Sequence, residues 1–406
     1  MTLEFEKLTP DLENMALATA QRSKLREARI EESLQTIKQY AHDWDAIENA
    51  LTAAAKRSDE KFYRSARPYD HDETLNTAVS PPFPPTAATI IATDGSQIMP
   101  DRHAAHLYYL INVGGIIYPH GSPTAPTVFS EPQIFYPQED PGDDDFISDS
   151  GKVSVERDKE EIATLARKTW ENRHGALPIL SIVDQRLLYW PIGGSDFVDN
   201  AAVRAWCRSM TKIREADALL AGYIDRPGTR GVMTLLRSLT GVSEPNFNWK
   251  ELGKSIATQG LADRDLFRIL LEPGQRSKLF IYESQPNKFF AEIDPMNEVC
   301  FFYLNPGLAG DDIVRVDIPR WVAAVPETVT AVHALIIDQC RILGNYPYVL
   351  ARADEMAVVG RQDASELNFM IDIVMQRHGI STTVTGKQDS KGLARGAKSR
   401  HEGVGH

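Results

Sequence analysis

This chain has no long apolar run, no paired-cysteine motif and no nucleotide-binding loop, and each absence removes a class of protein. No stretch reaches the roughly 18 consecutive apolar residues of a membrane-spanning helix. The only cysteines are Cys207, Cys300 and Cys340, scattered and without a CxxC pair. That usage fits a reducing, cytoplasmic setting and excludes a structural zinc site. The opening MTLEFEKLTPDLENM is acidic and lacks an apolar centre, so it does not read as a signal peptide. A GxxxxGK[ST] loop is missing, which argues against an ATPase, and no GxSxG elbow or Ser-His-Asp order stands out. His103, His106 and His120 lie close in sequence but not at the spacing of a metal pair, so core or surface roles are expected.

Positive charge is also short. The net charge is −12, with 44 Lys and Arg against 56 Asp and Glu. An acidic chain does not coat nucleic acid electrostatically. It can still act on nucleic acid through metal ions held by clustered carboxylates.

A hydrophobic share of 42% over 406 residues is enough for a large core. Residues 11–57 contain no Pro or Gly and are rich in Ala, Leu, Glu, Lys and Arg, which predicts one or two amphipathic helices. They form an N-terminal arm, set at residues 1–80, that packs on the body or on a partner. SPPFPPTAA (80–88) is a stiff lead into a strand, ATIIATD, that ends in Asp94. A second strand follows in 104–121, where Gly114-Gly115 marks a bulge or bend. The acid-rich segment 139–151 lacks EF-hand spacing and reads as a solvated loop. A helix is expected at 155–173 and a buried strand ending at Asp184. Helical segments around 198–224 and 228–240 come next, then a helix near 262–271. Three strands lie between 277 and 319, and helices at 326–343, 348–359 and 364–378 close the fold. The body, 81–380, is therefore one α/β domain with a mixed sheet, and 381–406 is a disordered basic tail.

The acids form a set. Asp94 and Asp184 each end an apolar run, so two core strands deliver a carboxylate at the edge where open α/β sheets bind ligands. Glu161 borders the buried stripe that Ile162 and Leu165 mark on its helix. Asp354 shares the stripe of Leu350 and Ala357, whereas Glu355 turns about 100° away. Inward-facing acids repel one another, and one or two divalent cations remove that conflict. Hard oxygen donors suit Mn²⁺ or Mg²⁺, and two ions about 4 Å apart serve phosphodiester cleavage. Each acid has another reading. Asp94 suits a turn, Asp184 an arginine partner, Glu161 an exposed position with Glu160 turned inward, and Asp354 a pairing with Arg352. Arg102, Arg186 and Lys168 are candidates to hold phosphate, or are solvated surface cations.

The order of acids on first strand, helix, later strand and C-terminal helix resembles that of ribonuclease H-like nucleases. Three stretches, ATDGSQIMPDRHAAHLYYLINVGGIIYPHGS, VERDKEEIATL with LPILSIVDQRLLYW, and VRVDIPRWVA with CRILGNYPYVLARADEMAVV, resemble the NurA domain in that order. The resemblance covers roughly 85–380. It implies a ribonuclease H-like mixed sheet flanked by helices and a manganese-dependent DNA nuclease. That nuclease is of the 5′–3′ exonuclease and single-strand endonuclease type, used in end resection at double-strand breaks. It further implies a homodimer and a hexameric HerA-type ATPase as partner. The matching site positions are Asp94, Glu161, Asp184 and Tyr346. Two departures stand out: the family's strand-end Asp-Gly is Asp184-Gln185 here, and a position that is often histidine is Asp354. Two other readings stay open, a non-catalytic adaptor of a DNA translocase on the same fold, and a metal-dependent RNase or phosphatase.

Overall fold

The computed structural model of the chain describes residues 5–59, 63–101, 106–137, 150–191, 200–252, 260–307 and 313–380. Arg102, His103, the acidic loop at 139–149 and the tail at 381–406 lie outside the described residues.

The run ATIIATDGSQI forms strand β3 (Ala88–Ile98), after two short strands, β1 (Ser65–Pro68) and β2 (Ala78–Val79). Strand β4 (Tyr109–His120) and β5 (Thr127–Phe135) follow, then β6 (Ile179–Val183) and β7 (Leu219–Ile224). The last four are β8 (Arg276–Ser277), β9 (Phe280–Glu283), β10 (Val299–Leu304) and β11 (Val314–Pro319). All eleven join one mixed sheet, whose main path runs β1-β9-β10-β11-β7-β6-β3-β4-β5. Within it, β3 and β6 are parallel, as are β6 and β7, while β4 and β5 add antiparallel at the edge. That five-strand unit is the coarse ribonuclease H-like order. The five residues of β6, ILSIV, are all buried, as expected for a parallel strand covered on both faces.

Helices cover both faces. On one side lie α3 (Ser150–Glu171) and α4 (Asn200–Glu215), packed through Ile162, Leu165, Trp206 and Met210 onto Ile91, Ile179 and Leu220. On the N-terminal side, α1 (Thr9–Gln39) and α2 (Trp44–Arg57) share a core with α5 (Gly231–Val242) and α6 (Asp263–Leu270). The outer part of α1 leaves Leu12, Met15 and Leu17 exposed. After α7 (Gln285–Ile293) and α8 (Arg320–Ala323), the opposite face is closed by α9 (Pro326–Leu343) and α10 (Tyr348–Ala357). Val332, Leu335, Leu350 and Ala353 there meet Ile90, Ala92, Ile182 and Val316 of the sheet. A final helix, α11 (Arg361–Arg377), has no buried residue.

Three sequence expectations are corrected. The helix expected over 198–224 stops at Glu215. Asp217 then takes a left-handed backbone, φ 54, and Leu219–Ile224 is a strand between β6 and β11. A short buried apolar run has no periodicity to separate strand from helix. Strand β3 also does not end at Asp94. Its parallel partner stops at Val183, opposite Thr93, but β4 carries the antiparallel pairing on to Ile98↔Leu110. Asp94 thus sits at a tip on one flank and mid-strand on the other. Finally, Gly114-Gly115 makes no bulge, since the register through Asp94↔Gly114 and Thr93↔Gly115 is unbroken.

The glycines serve close approach instead. A Cβ on Gly114 would fall 2.1 Å from the Ala357 backbone nitrogen, so α10 rests directly on β4. Gly114→Ala is expected to destabilise the fold by about 1–3 kcal/mol, as overpacking does. A lowered urea midpoint would show it; an unchanged midpoint would mean that α10 shifts freely.

Candidate metal centre

The end of α10 is held by polar groups of the two strands beneath it. Ser96 Oγ donates to the Ala357 carbonyl at 2.5 Å, and Asn112 Nδ2 donates to the same oxygen at 2.8 Å and to that of Met356 at 3.3 Å. Ser130 Oγ in turn orients Asn112 through a 2.9 Å bond to Oδ1. These donors satisfy terminal helix carbonyls that have no intrahelical partner. Each residue of Asp94-Gly95-Ser96 therefore has a separate task. Asp94 is the carboxylate, and Ser96 anchors the helix that carries Asp354. Gly95 leaves room for α3, since a Cβ there would meet Arg157 Cγ at 2.9 Å and Glu161 Oε2 at 3.3 Å.

Four acids converge at the C-terminal edge of β3 and β6. Asp354 stands against Asp94, near enough for the two carboxyls to share a hydrogen bond. Burial and then Asp354 raise the Asp94 pKa, against the Gly95 N–H, which donates to Oδ1 at 2.8 Å, and the charge of Arg157. Glu161 is 4% exposed. Its carboxyl is pushed well above the usual range by burial and by the charge of Asp94, opposed by a hydrogen bond from Gln185. Thr93 Oγ1 donates to the Glu161 carbonyl at 3.4 Å, which ties α3 to the strand. Asp184 lies at the open mouth of the group. The surrounding protein still withholds enough water to raise it to about 6, and Asp94, Asp225 and Asp354 push the same way.

Tyr346 opposes that shift on Asp184 by donating its hydroxyl to Oδ2 at 2.6 Å. The ring of Tyr223 meets that of Tyr346 edge-on at 5.5 Å and positions it. Tyr346→Phe removes the donor, so Asp184 is expected to titrate at higher pH, and the acid limb of any activity that needs its carboxylate should move upward. A pH profile that does not move would exclude Asp184 from that role.

The structure thus gathers Asp94, Glu161, Asp184, Asp354 and Tyr346. Arg352 is engaged by Glu355 and leaves Asp354 to Asp94. Lys168 lies elsewhere, with Nζ 2.9 Å from Glu131 Oε1 and 4.7 Å from the centre of the Phe129 ring. Arg186 is exposed and lines a cavity together with Arg64, Trp190 and Arg315. His120 is set between the Pro85 carbonyl, at 3.0 Å, and Asp338, at 3.4 Å; His106 lies 3.8 Å from Asp372. Sequence reasoning missed Asp225, which ends β7 and raises Asp184. LLAGYID has the same form as LPILSIVD, an apolar run closed by an aspartate, and that likeness was the available signal. It also missed Arg157, paired with Asp158, whose charge acts on Asp94 and Glu161, and Gln185, which favours the ionised form of Glu161.

The donor chemistry suits a hard divalent cation: oxygen ligands only, with Asp94, Glu161 and Asp184 crowded enough that burial and neighbouring charge raise their pKa values. Among the described residues, no group of three or more His, Cys, Asp or Glu side chains is placed to hold a metal ion. The acids fit such an ion by donor type and by their mutual electrostatic coupling.

Fold and site together define a mixed-sheet α/β protein with a carboxylate centre at its strand ends. The model of the NurA domain matches residues 88–359, more than half of the chain, and the chain belongs to that family. Comparison with curated proteins found no match. Two solved structures are similar at low identity. The NurA nuclease from Sulfolobus solfataricus is 15% identical, over 84% of this chain and 97% of that one, with a TM-score of 0.45. A structure of NurA with manganese is 11% identical, over 74% of this chain and 91% of that one, with a TM-score of 0.36.

Proposed function

We propose that the protein is a metal-dependent DNA nuclease that hydrolyses phosphodiester bonds with Mn²⁺ or Mg²⁺. The observation that carries this reading is the convergence of Asp94, Glu161, Asp184 and Asp354 on one sheet edge, with the first three raised in pKa. Asp94, Glu161, Asp184 and Asp354 would hold the cation, and four carboxylates supply enough oxygen donors for two ions. When bound, the ions act as Lewis acids on the scissile phosphate and on a nearby water. The chain's own residues do the rest. Tyr346 keeps Asp184 aimed and ionised, Gln185 steadies Glu161, and Arg157 offsets part of the negative charge.

A net charge of −12 makes unaided binding to DNA weak and sensitive to salt. The reading therefore includes help in holding DNA: a homodimer working with a hexameric HerA-type ATPase that feeds DNA ends, as resection of double-strand breaks requires. The test is cleavage of end-labelled linear single- and double-stranded DNA with Mn²⁺, Mg²⁺ or EDTA, repeated with such an ATPase present. Metal-dependent cutting supports the reading. No cutting in any arm would replace it with a non-catalytic adaptor of the translocase.

A further inference from the structure

Beyond the carboxylates, the chain turns away from Asp184 and crosses the face of β7. Gly222 makes the crossing possible, since a Cβ there would sit 2.3 Å from the Gln185 carbonyl oxygen. The crossing ends where Leu187 N–H donates to Asp317 Oδ2 of β11 at 3.1 Å. Beside it opens a cavity of about 460 Å³, within the size range of small-ligand pockets. Its lining includes Arg64, Arg186, Trp190, Tyr282, Arg315 and Asp317.

The charges in this lining do not balance. Asp317 is spent on its neighbours: Oδ1 accepts from Arg315 Nε at 2.6 Å, and Oδ2 from Leu187. Arg315, 4% exposed, is fixed by that pair and by the rings of Phe301 and Tyr282, at 4.0 and 4.7 Å. Arg64 donates to the Tyr63 carbonyl at 2.7 Å, and the charge of Arg186 acts on Asp317, which is already paired with Arg315. Among the described lining residues, three guanidiniums thus share one acid, Asp317, in a chain that is otherwise acidic. Trp190 and Tyr282 add aromatic surface to the same lining, and Phe289 steadies Trp190 edge-on at 5.6 Å.

Paired guanidiniums recognise phosphate, and aromatic rings beside them take a base. We infer that this cavity holds one nucleotide of the DNA strand being cut, its phosphate on Arg64 and Arg186 and its base against Trp190 and Tyr282. The inference rests on the nuclease reading, which puts a strand at Asp184, two residues before Arg186. The pocket then fixes how far the strand extends past the carboxylates before it is cut.

The test is binding without catalysis. A fluorescein-labelled oligo-deoxythymidylate is titrated with full-length protein in EDTA, and bound label is displaced by thymidine monophosphate or by inorganic phosphate. Arg186→Ala is expected to weaken binding about tenfold and to lower the dependence on salt by about one counterion. Trp190→Ala should weaken it about tenfold at unchanged salt dependence, with Trp190→Phe restoring most of the loss. Thymidine monophosphate should displace the label at concentrations at least about tenfold below inorganic phosphate. Arg186 is exposed, so its variant is expected to keep the wild-type melting temperature. Wild-type affinity in both alanine variants would overturn the inference, as would equal displacement by the two competitors. Manganese-dependent cutting is scored separately. Lost binding in the variants of a wild-type protein that never cuts would sink the nuclease reading and leave the pocket standing.

Discussion

Asp94→Ala is expected to reduce manganese-dependent cleavage at least about a thousandfold, while the metal-free melting temperature stays level or rises. A thousandfold is about 4 kcal/mol of transition-state stabilisation, within what a metal-assisted phosphodiester reaction loses with its central ligand. The stability half follows from the surroundings of Asp94. Burial and Asp354 raise its pKa, so the ionised form is held at a cost that alanine does not bear. The Gly95 N–H loses an acceptor, which offsets part of the gain. Asp94→Asn, close in shape, guards against a packing artefact. Cleavage that survives both substitutions would place the chemistry elsewhere. A fall of many degrees in melting temperature would mean that Asp94 is structural.

The second large effect is on stability and comes from the cation itself. Asp184, Asp94 and Glu161 all have pKa values raised on folding. A raised carboxyl contributes stability that is fully present below its unfolded pKa and is lost as pH climbs through the folded one. For Asp184 that window runs from 3.8 to about 6. At pH 7.5 the metal-free protein therefore bears the charge of Asp184 among its acidic neighbours, and at pH 5 a proton relieves much of it. Saturating Mn²⁺, at a hundred times its dissociation constant, adds about 2.7 kcal/mol. The melting temperature should rise by several degrees at pH 7.5 and by much less at pH 5, where protons compete for the same oxygens. Equal increments at both pH values would detach the cation from these acids.

Asp94 and Asp184 were legible in the sequence because an apolar run closed by an acid is a local pattern with few meanings. Asp225 has the same pattern and was lost, because Leu219–Ile224 is too short to show its period beside the strong helix before it. Asp354 could be placed on a helix face, but not beside Asp94. That pairing depends on Ser96 and Asn112 anchoring the helix end and on Gly114 letting it approach, contacts between residues more than 240 apart in sequence. Lys168 shows the converse. It shares a helix with Glu161, yet Glu131 across the sheet takes its charge, and no local pattern reveals that strand. Arg315 and Asp317 sit in VRVDIP as alternating polar positions that suggest a solvated face. In the fold both are buried under the crossing that follows β6.

Asp94, Glu161, Asp184 and Asp354 are expected to make a site for a divalent cation. Electron paramagnetic resonance tests it directly, because free aquated Mn²⁺ gives a sharp signal that fades on binding. At pH 7.5 the wild-type chain is predicted to quench the signal of up to two equivalents of Mn²⁺, and Asp94→Asn to leave most of it free. A wild-type titration that leaves the signal intact, or an Asp94→Asn variant that quenches it equally, would contradict the account.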